Sequence, residues 1–278
     1  MRRLIINADD FGLHEKVNQA IRIGHQKGII TSTTIMAGAP AFDDAVLVAK
    51  ELPQLGVGVH LTLVGEQPVA AAESVRSLLD ETGSFPRQYP QFLQRYLQGR
   101  ISRAEIMLEL AAQIEKVAGS GICITHLDSH QHLHVFPGIL EIVLNLAERY
   151  AIPALRIPAE PYFFSGGYPY TLGRWGGRCA LTFLAERARR LATQRGLRTT
   201  DSFFGMLAGG NMTETSLQRI ISALPSGCSE IMMHPGCDNK ILQAAFGWPY
   251  SWESELAAVC SSDIRSLIEK EQICLQSF

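Results

Sequence analysis

"RRLIINADDFGLHEKVNQAIRIGHQKG", residues 2–28, reads as one strand followed by one helix. "RRLIINAD" is an apolar run of strand length that ends in acids, and "HEKVNQAIRIGHQKG" is an amphipathic helical stretch. The same alternation returns along the chain. "GVGVHLTL" (56–63), "CITHLDSH" (123–130), "ALRIP" (154–158) and "SEIMMHPG" (229–236) are the further strand candidates. Between them lie helical patterns, "AFDDAVLVAKEL" (41–52), "RAEIMLELAAQIEKVAG" (103–119), "FPGILEIVLNLAERY" (136–150) and "TETSLQRIISAL" (213–224). Strand then helix, repeated, predicts parallel strands joined by crossover helices. The expected fold is therefore α/β, an irregular TIM-like (β/α) barrel. Residues 1–278 read as a single domain, with no break in composition and no repeat of fixed period. Two stretches interrupt the alternation: an insertion at about 73–100, and a long loop rich in aromatics and glycine at about 159–180.

Composition narrows the function classes. With 46% hydrophobic and 19% charged residues, 278 residues can bury one large core. A formal net charge of -2 speaks against a nucleic-acid binder, which would carry a basic footprint. No apolar run approaches the roughly 20 residues of a spanning helix, and "RRLIIN" enters a strand without a signal-peptide core, so a cytoplasmic location is expected. The six cysteines contain no CxxC pair and read as reduced packing residues.

"HLDSHQHLH", residues 126–134, holds four of the chain's eight histidines and an aspartate. In an extended strand His126, Asp128, His130, His132 and His134 would all project to one side. Such a strand could face solvent, but Leu127, Ser129, Gln131 and Leu133 do not make a convincing buried apolar face opposite. Other unusual polar residues also fall at predicted strand ends: Asn7, Asp9 and Asp10, then His60, Arg156 and His234. In parallel α/β folds that edge is where functional residues gather.

Each of these motifs has an ordinary explanation on its own. Paired aspartates after a strand can cap the next helix, and a histidine inside an apolar run can be a hydrogen-bonded core residue. Together, a carboxylate and imidazoles from different strands make a mixed N/O site suited to a divalent metal with positions open to water. A second carboxylate beside it and a histidine opposite suggest hydrolysis of an amide or ester.

"NADDFG", "TSTT", "GVHLTL", "THLDSHQHLHVFP", "LRIP" and "HPG", in this order, resemble the YdjC-like carbohydrate deacetylases, from residue 3 to about residue 240. The resemblance implies one divalent ion, Mg2+ or Zn2+, and removal of acetyl from an N-acetylated amino sugar. Carried over residue by residue, it makes Asp10, His60 and His130 the metal ligands. Asp9 becomes the general base and His234 the general acid. His132, His134 and Arg156 are assigned to substrate binding, or to supporting the residues that touch it.

"RLATQRGLRTTDSFFGMLAGGNMTETSLQRIISALPSGCSEIMMHPG", residues 190–236, is similar to the branch associated with hopanoid biosynthesis. That similarity implies N-acetylglucosamine on a hopanoid lipid as substrate. The alternatives are a chito-oligosaccharide deacetylase acting on soluble sugars and a metal-dependent phosphoesterase on a related barrel. Arginines 174, 178, 187, 189, 190, 195 and 198, against the single acid Glu186, suggest peripheral contact with an anionic inner-membrane surface. The partners expected are thus an N-acetylated sugar or glycolipid and no nucleic acid, with a homodimer left open.

Overall fold

A computed structural model describes every residue except 165, 167, 169 and 170. β1 (Arg2–Phe11) is buried from Leu4 onward and lies in the middle of the sheet. α1 (Glu15–Lys27) follows; its entry is capped by His14, whose Nδ1 accepts from the Lys16 amide at 3.0 Å. β2 (Ser32–Ile35), α2 (Phe42–Glu51) and β3 (Gly56–Leu61) continue the alternation. Two 3-10 turns and α3 (Tyr89–Leu97) occupy the stretch at 73–100, ahead of α4 (Arg103–Gly119). β4 (Ile124–Ser129), α5 (Ile139–Arg149), α6 (Leu172–Gln194), β5 (Ser202–Phe204), α7 (Glu214–Ser222) and β6 (Gly227–Met233) come next. α8 (Asn239–Phe246), α9 (Trp252–Val259), α10 (Ser262–Lys270) and the two-residue β7 (Cys274–Leu275) complete the described elements.

All the strand pairs are parallel, in the order β4-β3-β2-β1-β6-β5, with β7 beside β1. Parallel strands are sandwiched by helices and so are apolar on both faces, which is why Ile5, Ile6, Val59, Leu127 and Ile231 are 1% exposed or less. The architecture is an α/β domain on a parallel sheet, as expected, but the sheet does not close as a complete TIM-like barrel. Its path ends at β4 and β5, and "ALRIP" does not become a strand. Among the described residues only the single bridges Leu127–Leu155 and Ala154–Arg198 cross this side. Pro153 and Pro158 flank the segment, and a proline has no N–H for a ladder.

The histidine-rich stretch also departs from expectation. β4 stops at Ser129, and residues 130–135 wind into a 3-10 segment in which Gln131 and His132 take φ of 55° and 57°. Ser129 closes the turn: its Oγ accepts the His134 amide at 2.9 Å and lies 2.7 Å from His134 Nδ1. The five alternating side chains therefore do not share one strand face. α6 begins at Leu172, inside the stretch read as a loop at 159–180, of which residues 165, 167, 169 and 170 lie outside the described residues. Among the described residues no helix is long and apolar enough to cross a membrane.

Candidate active site

β1 delivers two carboxylates to one place by breaking its own regularity. A straight strand would send Asp9 and Asp10 to opposite faces. Here the register with β2 shifts between Ala8 and Phe11, and Asp10 takes a left-handed φ of 65°. Aspartate tolerates that region better than most residues, and backbone strain of this kind concentrates at functional positions. Both side chains consequently reach the carboxyl edge of the sheet.

Asp10, His60 and His130 meet there. Asp10 Oδ1 is 3.4 Å from His60 Nε2 and 3.2 Å from His130 Nδ1, and one ligand atom from each residue lies within 4.8 Å of the others. Asp128 stands behind His60, its Oδ1 2.8 Å from His60 Nδ1. With the Nδ1 proton given to Asp128, the Nε2 lone pair faces Asp10, the arrangement that orients metal-ligating histidines. Burial disfavours the His60 imidazolium, yet Asp128, Asp10 and Asp9 raise its pKa to about 10. Burial pushes the Asp10 carboxyl up, but His130 and His60 outweigh it and hold the group well below the usual carboxylate range. The pocket thus favours a positive charge between Asp10 and His60, and a divalent cation fits this two-imidazole, one-carboxylate donor set. Asp9, His60 and Asp128 form a second close group. Arg156 already fills that one, 2.6 Å from Asp9 Oδ1 and 2.5 Å from Asp128 Oδ2.

Arg156 was assigned to the substrate or to supporting the residues that touch it, and its place is the supporting one: it is fully buried and pairs with three carboxylates, the third being Glu230 at 2.7 Å. Asp9 accepts both arms of its guanidinium, at 2.6 and 2.7 Å, and Asn7 Nδ2 at 2.8 Å. His134 is equally enclosed: Ser129 and the Arg156 carbonyl, 3.0 Å from Nε2, take both ring nitrogens, and burial first among other influences lowers its pKa to about 4. His126 sits away from the cluster, stacked on Phe278 at 3.8 Å, and burial above all lowers it to about 3. A Cβ on Gly58 would meet the His126 ring at 2.5 Å, so glycine there makes the room.

A cavity of about 720 Å³ opens over the site. Asp9, His60, His130, His132, His234 and Tyr250 line its polar side. Phe136, Leu181, Leu184, Met206, Leu207 and Met232 form its apolar lining, with Arg174 and Arg178 of α6 also on the wall. His132 lies edge-on to Phe203 at 5.7 Å, with its Nδ1 buried and unpartnered among the described residues. Burial and the Arg156 charge hold its pKa well below the usual histidine value, so it stands there as neutral imidazole. His234 follows β6 directly; its amide donates to Glu255 in α9, which also accepts the Met212 amide at 2.8 Å.

Sequence reasoning missed four residues of this site. Glu230 is an acid inside the largely apolar "GCSEIMM", and that contrast was the available signal; Glu255, beside Glu253 in "WESELAAV", gave none. Trp248, stacked on His130 at 5.8 Å, and Tyr250, 5.4 Å from the His234 ring, come from "FGWPYSW", whose aromatic density was the only cue.

A parallel sheet with carboxylates and imidazoles gathered beyond the carboxyl ends of its strands defines an α/β protein with a catalytic type of site. The chain belongs to the YdjC-like protein family, whose model matches residues 3–270. A carbohydrate deacetylase of Vibrio cholerae serotype O1 is 41% identical over 272 residues, covering 98% of this chain and 93% of the relative. One from Brevibacillus brevis is 32% identical over 277 residues, covering 99% and 98%. A solved structure from Enterococcus faecalis V583, named for cellobiose-phosphate cleavage, superposes with a TM-score of 0.80 at 28% identity, covering 99% of this chain and 97% of that one.

Proposed function

We propose that this protein is a metal-dependent hydrolase that removes the N-acetyl group from an N-acetylated amino sugar. The observation that carries this reading is the meeting of Asp10 with His60 and His130, two histidines that line one cavity with Asp9 and His234. The family and its carbohydrate deacetylases support it. Asp10, His60 and His130 would hold the ion; bound there, a divalent metal supplies Lewis acidity and lowers the pKa of water toward about 7. Asp9 then accepts the proton of the attacking water. A carboxylate offers about four lone-pair positions; Arg156 and Asn7 take three, which leaves one on Oδ2 for that water. His234 gives a proton to the leaving sugar nitrogen. Arg156, Asn7 and Asp128 position these groups, and His132 borders the space for substrate. A phosphoesterase reading would want a second cluster of free ligands, and Arg156 occupies the only other close group among the described residues.

The metal assignment is tested by content. Purified His60→Ala and His130→Ala are expected to retain less than about a tenth of the zinc or magnesium bound by the unmodified protein, since each removes one of three ligands. Undiminished metal in both variants would sink the assignment.

The apolar wall of the cavity, built partly by α6, favours a substrate whose amino sugar carries an apolar group, in line with the glycolipid expectation. On the outside of α6, Leu172 is 85% and Phe183 69% exposed. The arginine patch is smaller than the sequence suggested. Arg178 is buried against Glu160, Arg189 holds the Thr200 and Asp201 carbonyls, and Arg195 donates to Asn145 Oδ1 at 2.6 Å. Arg198, beyond the helix, has no side-chain partner among the described residues; on α6 itself Arg187 and Arg190 remain free among them. If this face meets an anionic bilayer, each contributes about 1 kcal/mol. Changing both to glutamine should then weaken binding to phosphatidylserine-containing vesicles by roughly 30-fold at low salt, with turnover of a soluble N-acetylglucosamine derivative unchanged. Vesicle binding indifferent to salt and to both changes would remove the membrane from the account.

A further inference from the structure

Tyr250 lies between α8 and α9, and its ring borders the same cavity as Asp9, His130 and His234. The ring is held from several sides. It is 5.4 Å from the His234 ring, 5.3 Å from Trp248 and 5.4 Å from Trp252. It also rests flush on Gly210, where φ is +81° and a Cβ would meet Tyr250 Cδ1 at 2.2 Å. The backbone on either side is pinned to the same place: the Ser251 amide donates to the Gly210 carbonyl at 2.7 Å, and Asn211 Nδ2 donates to the Pro249 carbonyl at 3.2 Å. A ring fixed in this way presents its hydroxyl at one point without losing rotamer freedom when substrate arrives.

That hydroxyl has no hydrogen-bond partner among the described residues, and it is not one of the sealed polar atoms of the interior. Burial, and then the charges of Asp10, Glu255 and Asp9, push the phenol above its usual range, so it keeps its proton at neutral pH. The other tyrosine on the cavity wall, Tyr89, is 48% exposed at the mouth. Hydrolysis of an acetamide turns its carbonyl oxygen into an oxyanion, and preorganised donors at that oxygen are a large part of catalysis. The carboxylates around the site cannot donate to it.

We propose that Tyr250 is a catalytic residue, donating its hydroxyl hydrogen to the acetyl oxygen as that oxygen takes up negative charge. This assignment rests on the deacetylase reading above. It is distinct from a sugar contact, because a donor to the oxyanion strengthens in the transition state and leaves ground-state binding nearly alone.

The test compares the unmodified chain with Tyr250→Phe, both loaded with zinc or magnesium. The substrates are an N-acetylglucosamine derivative and its N-trifluoroacetyl counterpart. Tyr250→Phe is expected to keep its metal content and its unfolding midpoint, to hold KM within about twofold, and to lose kcat on the order of 100-fold on the acetyl substrate. On the trifluoroacetyl substrate the loss should be much smaller, since fluorine itself draws off the charge on the oxygen. A kcat close to the unmodified value overturns the assignment. So does a rise in KM alone, which would make Tyr250 a sugar contact, or a loss of metal, which would make the hydroxyl part of the ligand support. An equal loss on both substrates also overturns it. If the unmodified, metal-loaded chain releases no acetate, the deacetylase reading itself falls and takes this assignment with it.

Discussion

Asp9→Asn is expected to bind metal normally and to turn over between about 100 and 10,000 times more slowly, the usual worth of a general base. The substitution keeps the shape of the side chain and two of its three anchors: an amide oxygen in place of Oδ1 can still accept from one arm of Arg156 at 2.6 Å and from Asn7 at 2.8 Å, while the amide NH2 cannot accept from the other arm. What it removes is the basic lone pair. Asp10→Asn should act differently, because Asp10 Oδ1 is the atom that both His60 and His130 approach, and its loss should weaken metal binding itself. Metal content and kcat measured side by side separate the two aspartates. Equal loss of metal in both variants, with activity equally restored by adding metal, would make both carboxylates part of the ligand set and leave the base unassigned.

The features legible in the sequence were those with a local period. "RAEIMLELAAQIEKVAG" becomes α4 over the same residues, 103–119, because its apolar spacing and the Ser102 cap are both local. Three other things depend on contacts that the chain makes only when folded. The end of β4 at Ser129 rests on left-handed Gln131 and His132, which an alternating pattern does not announce. The helical state of residues 172–180, the first part of α6, was hidden by glycines at 173, 176 and 177. The place of Arg156 was also hidden: sequence shows a charge near a strand end but not which acids will surround it. For the site, the residue types were legible and their depth was not. Asp10, His60 and His130 converge as their strand ends suggested. His134 and Arg156, equally polar in sequence, turn inward because Ser129, Asp9, Asp128 and Glu230 offer them partners there.

Arg156→Met should cost the fold about 3–5 kcal/mol at neutral pH, the usual result of removing one partner from a buried ionic network. The guanidinium sits 2.6, 2.5 and 2.7 Å from Asp9, Asp128 and Glu230, whose exposures are 2%, 0% and 0%. Methionine fills much of the volume and leaves those carboxylates without the charge that they share. The dependence on pH identifies this cause. Even with Arg156 present, burial first of all raises the Glu230 pKa to about 7. Without the guanidinium the folded-state pKa of Glu230 rises further above its unfolded value near about 4. An acid with a raised folded pKa destabilises the fold at high pH, and the penalty disappears as pH falls below the folded pKa and the group takes its proton. The deficit of Arg156→Met should therefore be largest above pH about 7 and should shrink toward pH about 5, read as denaturant midpoints across that range. Arg156→Lys, which restores the charge but not a planar fork reaching three acids, should recover only part of the loss. A deficit that does not change with pH would mean that the packing of Arg156 against Phe203, 5.7 Å from its ring, matters more to the fold than the charge.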